Sequence, residues 1–156
     1  MKHFGKAIIF PLLMLTLLLS ACGGKSAKSA DLKALYEKIG SSLELPEMLE
    51  LSEQRIQTYY GIDPAACKQL LIAVSDDGLR VDEIWLIEAA DEKAAEQILA
   101  AARSRIEQVC SETENYLPDQ YAVAKNGEAL QIGSSVALFL SPDAKEMANL
   151  FTQAFQ

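Results

Sequence analysis

Cysteine and histidine, two residue types often used in nucleophilic catalysis, are few in this chain. Its 156 residues include three cysteines, Cys22, Cys67 and Cys110, and a single histidine, His3. A thiol or hydroxyl nucleophile needs a nearby base, most often a histidine. His3 lies within the first 21 residues, which we expect to be removed on export. The mature chain therefore has no histidine for a catalytic triad, a Cys-His pair or a histidine metal site.

Four acidic residues lie close together and raise the question of acid–base or metal chemistry. They are Asp76, Asp77, Asp82 and Glu83, on either side of Gly78. Asp-Gly is typical of a hairpin turn, and the alternating aspartates and distant glutamate of a calcium loop are missing. We therefore interpret the four as solvated turn residues, and we expect neither a metal nor a cofactor.

The start of the chain has the three parts that export requires. Lys2 and Lys6 precede an apolar stretch, Ala7 to Leu19, of thirteen residues. That stretch is short of the roughly 20 residues needed to span a bilayer. Leu19-Ser20-Ala21 then places small side chains before Cys22, which resembles the lipobox of bacterial lipoproteins. This pattern predicts a signal peptide at residues 1–21 and a Cys22 that carries thioether-linked diacylglycerol.

The predicted organisation is an anchor, a tether and one domain. Cys22 and the small polar residues up to 30 form the lipidated start and a flexible tether, and residues 31–156 form a single domain. Removal of residues 1–21 takes away two of fourteen basic residues and none of the 22 acidic ones, which leaves a net charge of −10. A domain with this much negative charge is repelled by the phosphates of nucleic acid, so we do not expect a nucleic-acid ligand. We expect it on the extracytoplasmic face of the membrane.

Hydrophobic periodicity predicts an α+β fold in which a helical segment precedes two strand-strand-helix units. The helical segment has a first helix from Asp31 and a second, capped by Ser52, that ends at Gly61. The remaining predicted elements are a hairpin of 68–75 and 83–89, a long helix capped by Asp91, a hairpin of 129–132 and 136–140, and a helix with Ser141 as cap and Pro142 in its first position. The sheet should therefore have four antiparallel strands.

The two units suggest a duplication, because Ile84 to Arg103 aligns with Val136 to Phe155 at an offset of 52 residues. Four positions are identical, but any strand followed by a capped amphipathic helix would share some of them. A duplicated unit and a coincidence of pattern both remain open.

Strand alternation leads to a prediction about the two faces of the sheet. One face would receive both amphipathic helices and the other would carry Trp85. Their predicted members are, on the first face, Leu70, Ile72, Val74, Ile84, Leu86, Val136, Leu138 and Leu140, and on the second, Leu71, Ala73, Trp85, Ile87, Ala137 and Phe139. We expect the helical segment 31–61 to cover the second face with Leu35, Ile39, Ile56 and Tyr59, in preference to a partner protein or a second copy.

The two thiols of the expected domain are predicted to stay apart. Cys67 precedes the first strand, whereas Cys110 lies near the far end of a helix of about 20 residues, or about 30 Å. A disulfide needs α-carbons within about 7 Å.

Several short blocks together carry a resemblance to a known family. They are Gln57-Thr58-Tyr59-Tyr60-Gly61-Ile62-Asp63-Pro64, Asp82-Glu83-Ile84, Arg105-Ile106-Glu107 and Tyr116-Leu117-Pro118. In this order they resemble the small bacterial lipoproteins that contain domain of unknown function four-three-five-eight, over roughly residues 31–155. The resemblance implies a lipid-anchored envelope protein on the outer face of the cytoplasmic membrane, and it brings no catalytic residues.

Two classes of function remain after these exclusions. The favoured one is a non-catalytic module on the membrane that binds an envelope protein or another envelope component, with Tyr59, Tyr60 and Trp85 as candidate contacts. The alternative is a small envelope enzyme that uses Cys67 or a serine with carboxylates. A solute-binding protein is disfavoured by size, since such proteins usually close two lobes around a cleft.

Overall fold

The computed structural model describes residues 29–156. The predicted signal peptide, Cys22 and most of the predicted tether lie outside the described residues. A single 3₁₀ turn, Pro64–Ala66, leads into the second strand. The helices and strands in chain order are α1 Leu32–Ser42, β1 Met48–Glu50, α2 Glu53–Tyr60, β2 Cys67–Ser75, β3 Glu83–Ala89, α3 Glu92–Thr113, α4 Pro118–Lys125, β4 Glu128–Ile132, β5 Ser135–Leu140 and α5 Ala144–Ala154.

The strands form one antiparallel sheet in the order β1-β2-β3-β5-β4. This confirms the α+β class and both predicted hairpins, but the sheet has five strands instead of the predicted four. The additional strand, β1, has three residues and pairs Leu49 with Val74 at one edge of the sheet. Three residues are too few to show an alternating pattern, so β1 depends on its partner strand rather than on its own sequence.

Side-chain caps place most helix ends where the sequence predicts them. Asp31 Oδ1 accepts from Ala34 N at 3.0 Å, and Asp91 Oδ1 accepts from Ala94 N at 2.8 Å. The second helix begins after Ser52 and ends at Gly61, whose φ of 68° is left-handed and suits glycine.

Two helix assignments need correction. The last helix begins at Ala144, not Pro142, because residues 141–143 form a turn closed by a hydrogen bond from Ala144 N to Ser141 O. The fourth helix begins at Pro118, which the sequence analysis did not treat as a helix start. A proline fits the first turn of a helix, because the N–H groups of that turn have no acceptor within the helix and the missing N–H of proline removes no hydrogen bond.

The sheet has a front face and a back face, and the predicted membership of β3 is wrong. Trp85 lies opposite both Ile72 and Leu138, so these three share the front face. Ile84 and Leu86 therefore lie on the back face, near Ala137 and Phe139. Every residue of β3 is buried, so its hydrophobic pattern does not alternate. Without alternation the sequence could not show which side chains point to which face. A shift of one residue in the assignment moves every side chain of the strand to the opposite face.

The helices are divided between the faces, two major ones on each, and this also departs from the prediction. On the back face, α1 and α5 bury Leu35, Ile39 and Phe151. On the front face, α2 and α3 bury Ile56 and Ile98. The segment 31–61 thus covers both faces instead of one.

The suggested duplication has no structural counterpart at the offset of 52 residues. Leu86 and Leu138, which that alignment matches, lie on opposite faces of the sheet. The helices that follow them, α3 and α5, also pack on opposite faces. The similarity is that of two strands each followed by an amphipathic helix.

The thiols agree with the prediction, since Cys67 and Cys110 are both free and half-buried. Within residues 29–156, no helix combines the length and apolar character needed to cross a membrane.

Candidate binding groove

A buried ion pair joins the start of β3 to the middle of α3. Glu83 is 2% exposed and lies on the front face two residues before Trp85. Arg105 follows the buried Ala102 by three positions, so it lies on the sheet-facing side of α3. Its Nε and Nη2 lie 3.0 and 2.9 Å from Oε2 of Glu83. A carboxylate buried to this degree requires such a partner, since an unpaired buried charge is costly.

Two aromatic residues complete this cluster. Trp85 donates from Nε1 to Oε1 of Glu83 at 2.6 Å. The Tyr60 ring meets the Trp85 ring edge-on, with centroids 4.8 Å apart, and the Arg105 Cζ lies 5.7 Å from the Tyr60 centroid. Burial, followed by the charge of Glu83, raises the pKa of Tyr60 far above its ordinary value. The Tyr60 hydroxyl therefore stays protonated, and its ring packs against both Trp85 and Arg105.

Above this cluster is a groove with a volume of about 490 Å³, bounded by β1, α2, the β2–β3 hairpin and α3. Glu83 and Arg105 lie at its base, and Arg55, Arg80 and Glu112 add charge along its walls. Pockets for small ligands usually measure about 300–1,000 Å³. The groove is therefore large enough for a small molecule or a short piece of peptide.

The exposed large hydrophobic side chains of the described chain gather around this groove. Leu49, Tyr59 and Leu79 are 41%, 65% and 68% exposed, and all three line it. Tyr116, 84% exposed, lines an adjoining depression together with Leu79. Single exposed apolar residues are ordinary, but a cluster around one concavity marks an interaction site.

The structure brings the three candidate contacts predicted from the sequence together in a smaller depression of about 200 Å³, which Arg105 also lines. Tyr59 stands exposed at the rim of the groove, and Tyr60 lines its wall. Trp85 is only 1% exposed, packs edge-on against Tyr60 and does not line the groove itself. Contact of these residues with a ligand stays a prediction.

The acidic cluster is not the set of solvated turn residues that the sequence predicted. Asp76 and Asp77 are exposed in the hairpin turn, but Asp82 and Glu83 are buried. Asp82 is paired with Arg80, whose Nε lies 2.9 Å from Oδ2. The reason is that these two residues already belong to the end of the sheet, where burial makes an ionic partner necessary.

Glu83 and Arg105 were not expected to pair, although their spacing in the sequence places both at core positions. Glu83 precedes Trp85 and Ile87 at a spacing of two, which places it on the same face of a strand. Arg105 falls between Ala102 and Val109 at spacings of three and four, which is the buried side of a helix. Two opposite charges at core positions indicate a buried ion pair.

The proposed nucleophile of the alternative enzyme, Cys67, lies outside the groove at the start of β2. Its thiol donates to the carbonyl oxygen of Asp63 at 3.5 Å. Burial, followed by the charge of Asp63, raises the pKa of the Cys67 thiol. A reactive cysteine needs the opposite shift, since the thiolate is the nucleophile. In residues 29–156 no group of three His, Cys, Asp or Glu side chains is placed to hold a metal ion.

Comparison with known proteins identifies a family and no individual relative. A family model described as "Domain of unknown function (DUF4358)" matches residues 41–141. No curated protein and no solved structure matches the chain. The matched range includes every strand and the whole groove, whereas α5 lies beyond it. The blocks that carry the resemblance contribute Tyr60, Glu83, Arg105 and Leu117 to the groove. The chain therefore belongs to the DUF4358 family, as that resemblance predicted.

Proposed function

We propose that this protein is a lipid-anchored binding module of the bacterial envelope, whose groove takes up a ligand without transforming it. The observation that carries the proposal is the gathering of exposed Leu49, Tyr59 and Leu79 around a single concavity. Binding of a ligand over exposed apolar side chains is favourable, because removing apolar surface from water lowers the free energy by about 25 cal/mol per Å². The groove is thus the surface of this domain best suited to binding.

The path of the chain toward the expected anchor is compatible with this function. Gln69 donates from Nε2 to the carbonyl oxygen of Ala30 at 2.8 Å, and Ser29 donates to Glu88 at 3.2 Å. Gln69 and Glu88 are paired at the end of the hairpin opposite to its turn. The groove is at the turn end, where Leu79 and Glu83 lie. A chain attached through Cys22 would therefore enter the domain at the end opposite the groove.

A non-catalytic role is supported by the chemistry of the groove. Both of its buried carboxylates already have partners, since Glu83 is bound to Arg105 and Trp85 and Asp82 is bound to Arg80. A general base needs a free lone pair directed at the substrate. The raised pKa of Cys67 also reduces the fraction of thiolate that the alternative enzyme would require.

Site-directed photo-crosslinking in membranes tests the proposal. A photoreactive amino acid is placed at Tyr59 or Leu79 of the full lipoprotein, and at exposed Lys145 on α5 as a control. We expect one adduct of defined mass to form at both groove positions and not at Lys145. Equal labelling at all three positions, or no adduct at either groove position, would contradict a binding role for the groove.

A further inference from the structure

The groove collects arginine in a protein that has very little of it. The chain contains four arginines and ten lysines. Three of the arginines, Arg55, Arg80 and Arg105, line the groove, and no lysine does. The fourth, Arg103, is exposed on α3 and does not line the groove. In a domain with a large excess of acidic residues, this is a local concentration of one particular cation.

These guanidinium groups have N–H donors that form no hydrogen bond with the described side chains. Arg80 and Arg105 bind their carboxylates through Nε and Nη2, so Nη1 of each has no partner among the described side chains. No buried side-chain nitrogen or oxygen in residues 29–156 lacks a hydrogen bond. Nη1 of the half-buried Arg105 must therefore reach solvent, and Arg105 borders solvent at the groove and at the smaller depression beside Tyr59 and Trp85. No ion pair within the described chain involves Arg55.

The balance of charge limits which anion fits. Asp82, Glu83 and Glu112 also line the groove, so its three positive charges are matched by three negative ones. A single negative charge can bind to the unused donors at small electrostatic cost, whereas a doubly charged phosphate would meet repulsion from the three carboxylates. Arginine also matches the planar, two-oxygen geometry of a carboxylate.

The apolar rim of the groove indicates the chemistry of the rest of the ligand. Leu49, Tyr59 and Leu79 offer exposed apolar and aromatic surface beside the arginines. We propose that the groove binds a carboxylate attached to an apolar or aromatic group, with Arg55 as its main charge partner. The inference rests on the proposed binding function and names its ligand class. Such a carboxylate is present at the end of a peptide chain and in a free organic acid.

Matched acids and amides test this assignment on the full lipoprotein in lipid nanodiscs. The probes are N-acetyl-leucyl-phenylalanine and 3-phenylpropionate, the amide of each, and phenyl phosphate. Binding is measured by calorimetry and by the emission of Trp85, the only tryptophan of the chain. We expect at least one acid to bind ten-fold or more tightly than its amide. Preference for the peptide or for the free acid identifies the source.

Two arginine variants locate the carboxylate. Arg55→Gln should remove most of the preference for acid over amide, while Arg103→Gln, on α3 outside the groove, should retain it. Equal binding of acid and amide, binding of phenyl phosphate as tight as that of the acid, or an unchanged preference in Arg55→Gln would overturn the assignment. If no probe binds but the groove crosslinks an adduct in membranes, the ligand class is wrong and the binding function stands. If no probe binds and no adduct forms at the groove, both the ligand class and the binding function are rejected.

Discussion

Arg105 and Glu83 are held together at the base of the groove, with Arg105 Nη2 only 2.9 Å from Oε2 of Glu83. The pair links β3 of the sheet to α3. The Glu83 side chain is almost fully buried, whereas that of Arg105 is 23% exposed. Arg105 therefore connects a buried anion to the surface that a ligand would meet.

Glu83→Gln tests the contribution of this pair to stability. The substitution keeps the size of the side chain and an acceptor for Trp85 but leaves Arg105 without a counter-charge. Breaking a fully buried pair costs about 3–5 kcal/mol, and partial exposure of Arg105 should reduce this to about 2–3 kcal/mol. Urea unfolding followed by circular dichroism measures the free energy of unfolding. Glu107→Gln, an exposed neighbour on α3, is the control and should stay within about 0.5 kcal/mol of the unchanged protein. An equally small effect of Glu83→Gln would show that the pair adds nothing to stability.

Alkaline pH should weaken the fold through Tyr60. Burial and then Glu83 raise the pKa of Tyr60 in the folded state, while an unfolded tyrosine loses its proton at about pH 10. Above that pH the unfolded state binds fewer protons than the folded one, so the free energy of unfolding falls as pH rises. The contribution is complete below about pH 10 and disappears toward the higher folded pKa.

Tyr60→Phe should flatten this alkaline slope, by up to about 1.4 kcal/mol per pH unit for one proton. Part of the slope should remain, since burial also raises the pKa of Tyr36, Cys67 and Cys110. Unfolding is measured between pH 8 and 11. Tyr59→Phe is the control, because it removes a neighbouring exposed hydroxyl and keeps the phenol of Tyr60. Equal slopes in both variants would rule out Tyr60 as the source.

Gly127 is required by the close approach of α4 to the end of β5. A Cβ at this position would lie 2.6 Å from Cδ2 of Leu140 and 3.0 Å from the carbonyl oxygen of Ala124. Gly127→Ala should therefore destabilise the fold by about 1–3 kcal/mol, as overpacking does. Gly78→Ala is the matched control, since a Cβ there meets nothing within 4 Å. Thermal unfolding should separate the two variants, and coincident midpoints would contradict the crowding at Gly127.

The parts of this fold that could be predicted are those where a local interaction decides the structure. Asp31, Ser52 and Asp91 each cap the helix that follows, and these caps need only the next few residues. The missed β1 and α4 lack such signals. β1 depends on pairing with β2, and only Ala124 of α4 is buried.

The site was predicted only in part, for a related reason. Tyr60 was named from its type and its place before Gly61, and the structure does place it in the groove wall. Glu83 and Arg105 are 22 residues apart in sequence, and their pairing depends on which face of β3 points to α3. The spacing within each element places both residues at core positions, but because β3 is buried on both faces, only its register to β5 shows that Glu83 faces α3.

Cys22→Ala tests the expected attachment to the membrane. Cys22 lies outside the described residues, so its role depends on the residues that precede it. Without the thiol no thioether-linked diacylglycerol can form, and a protein without acyl chains should leave the membrane or persist as an unprocessed precursor. Detergent phase partitioning and the mass of the N-terminal peptide measure the outcome. Cys67→Ala is the control and should remain in the detergent phase at mature length. A Cys22→Ala protein of mature length that still enters the detergent phase would show that the anchor is something other than Cys22.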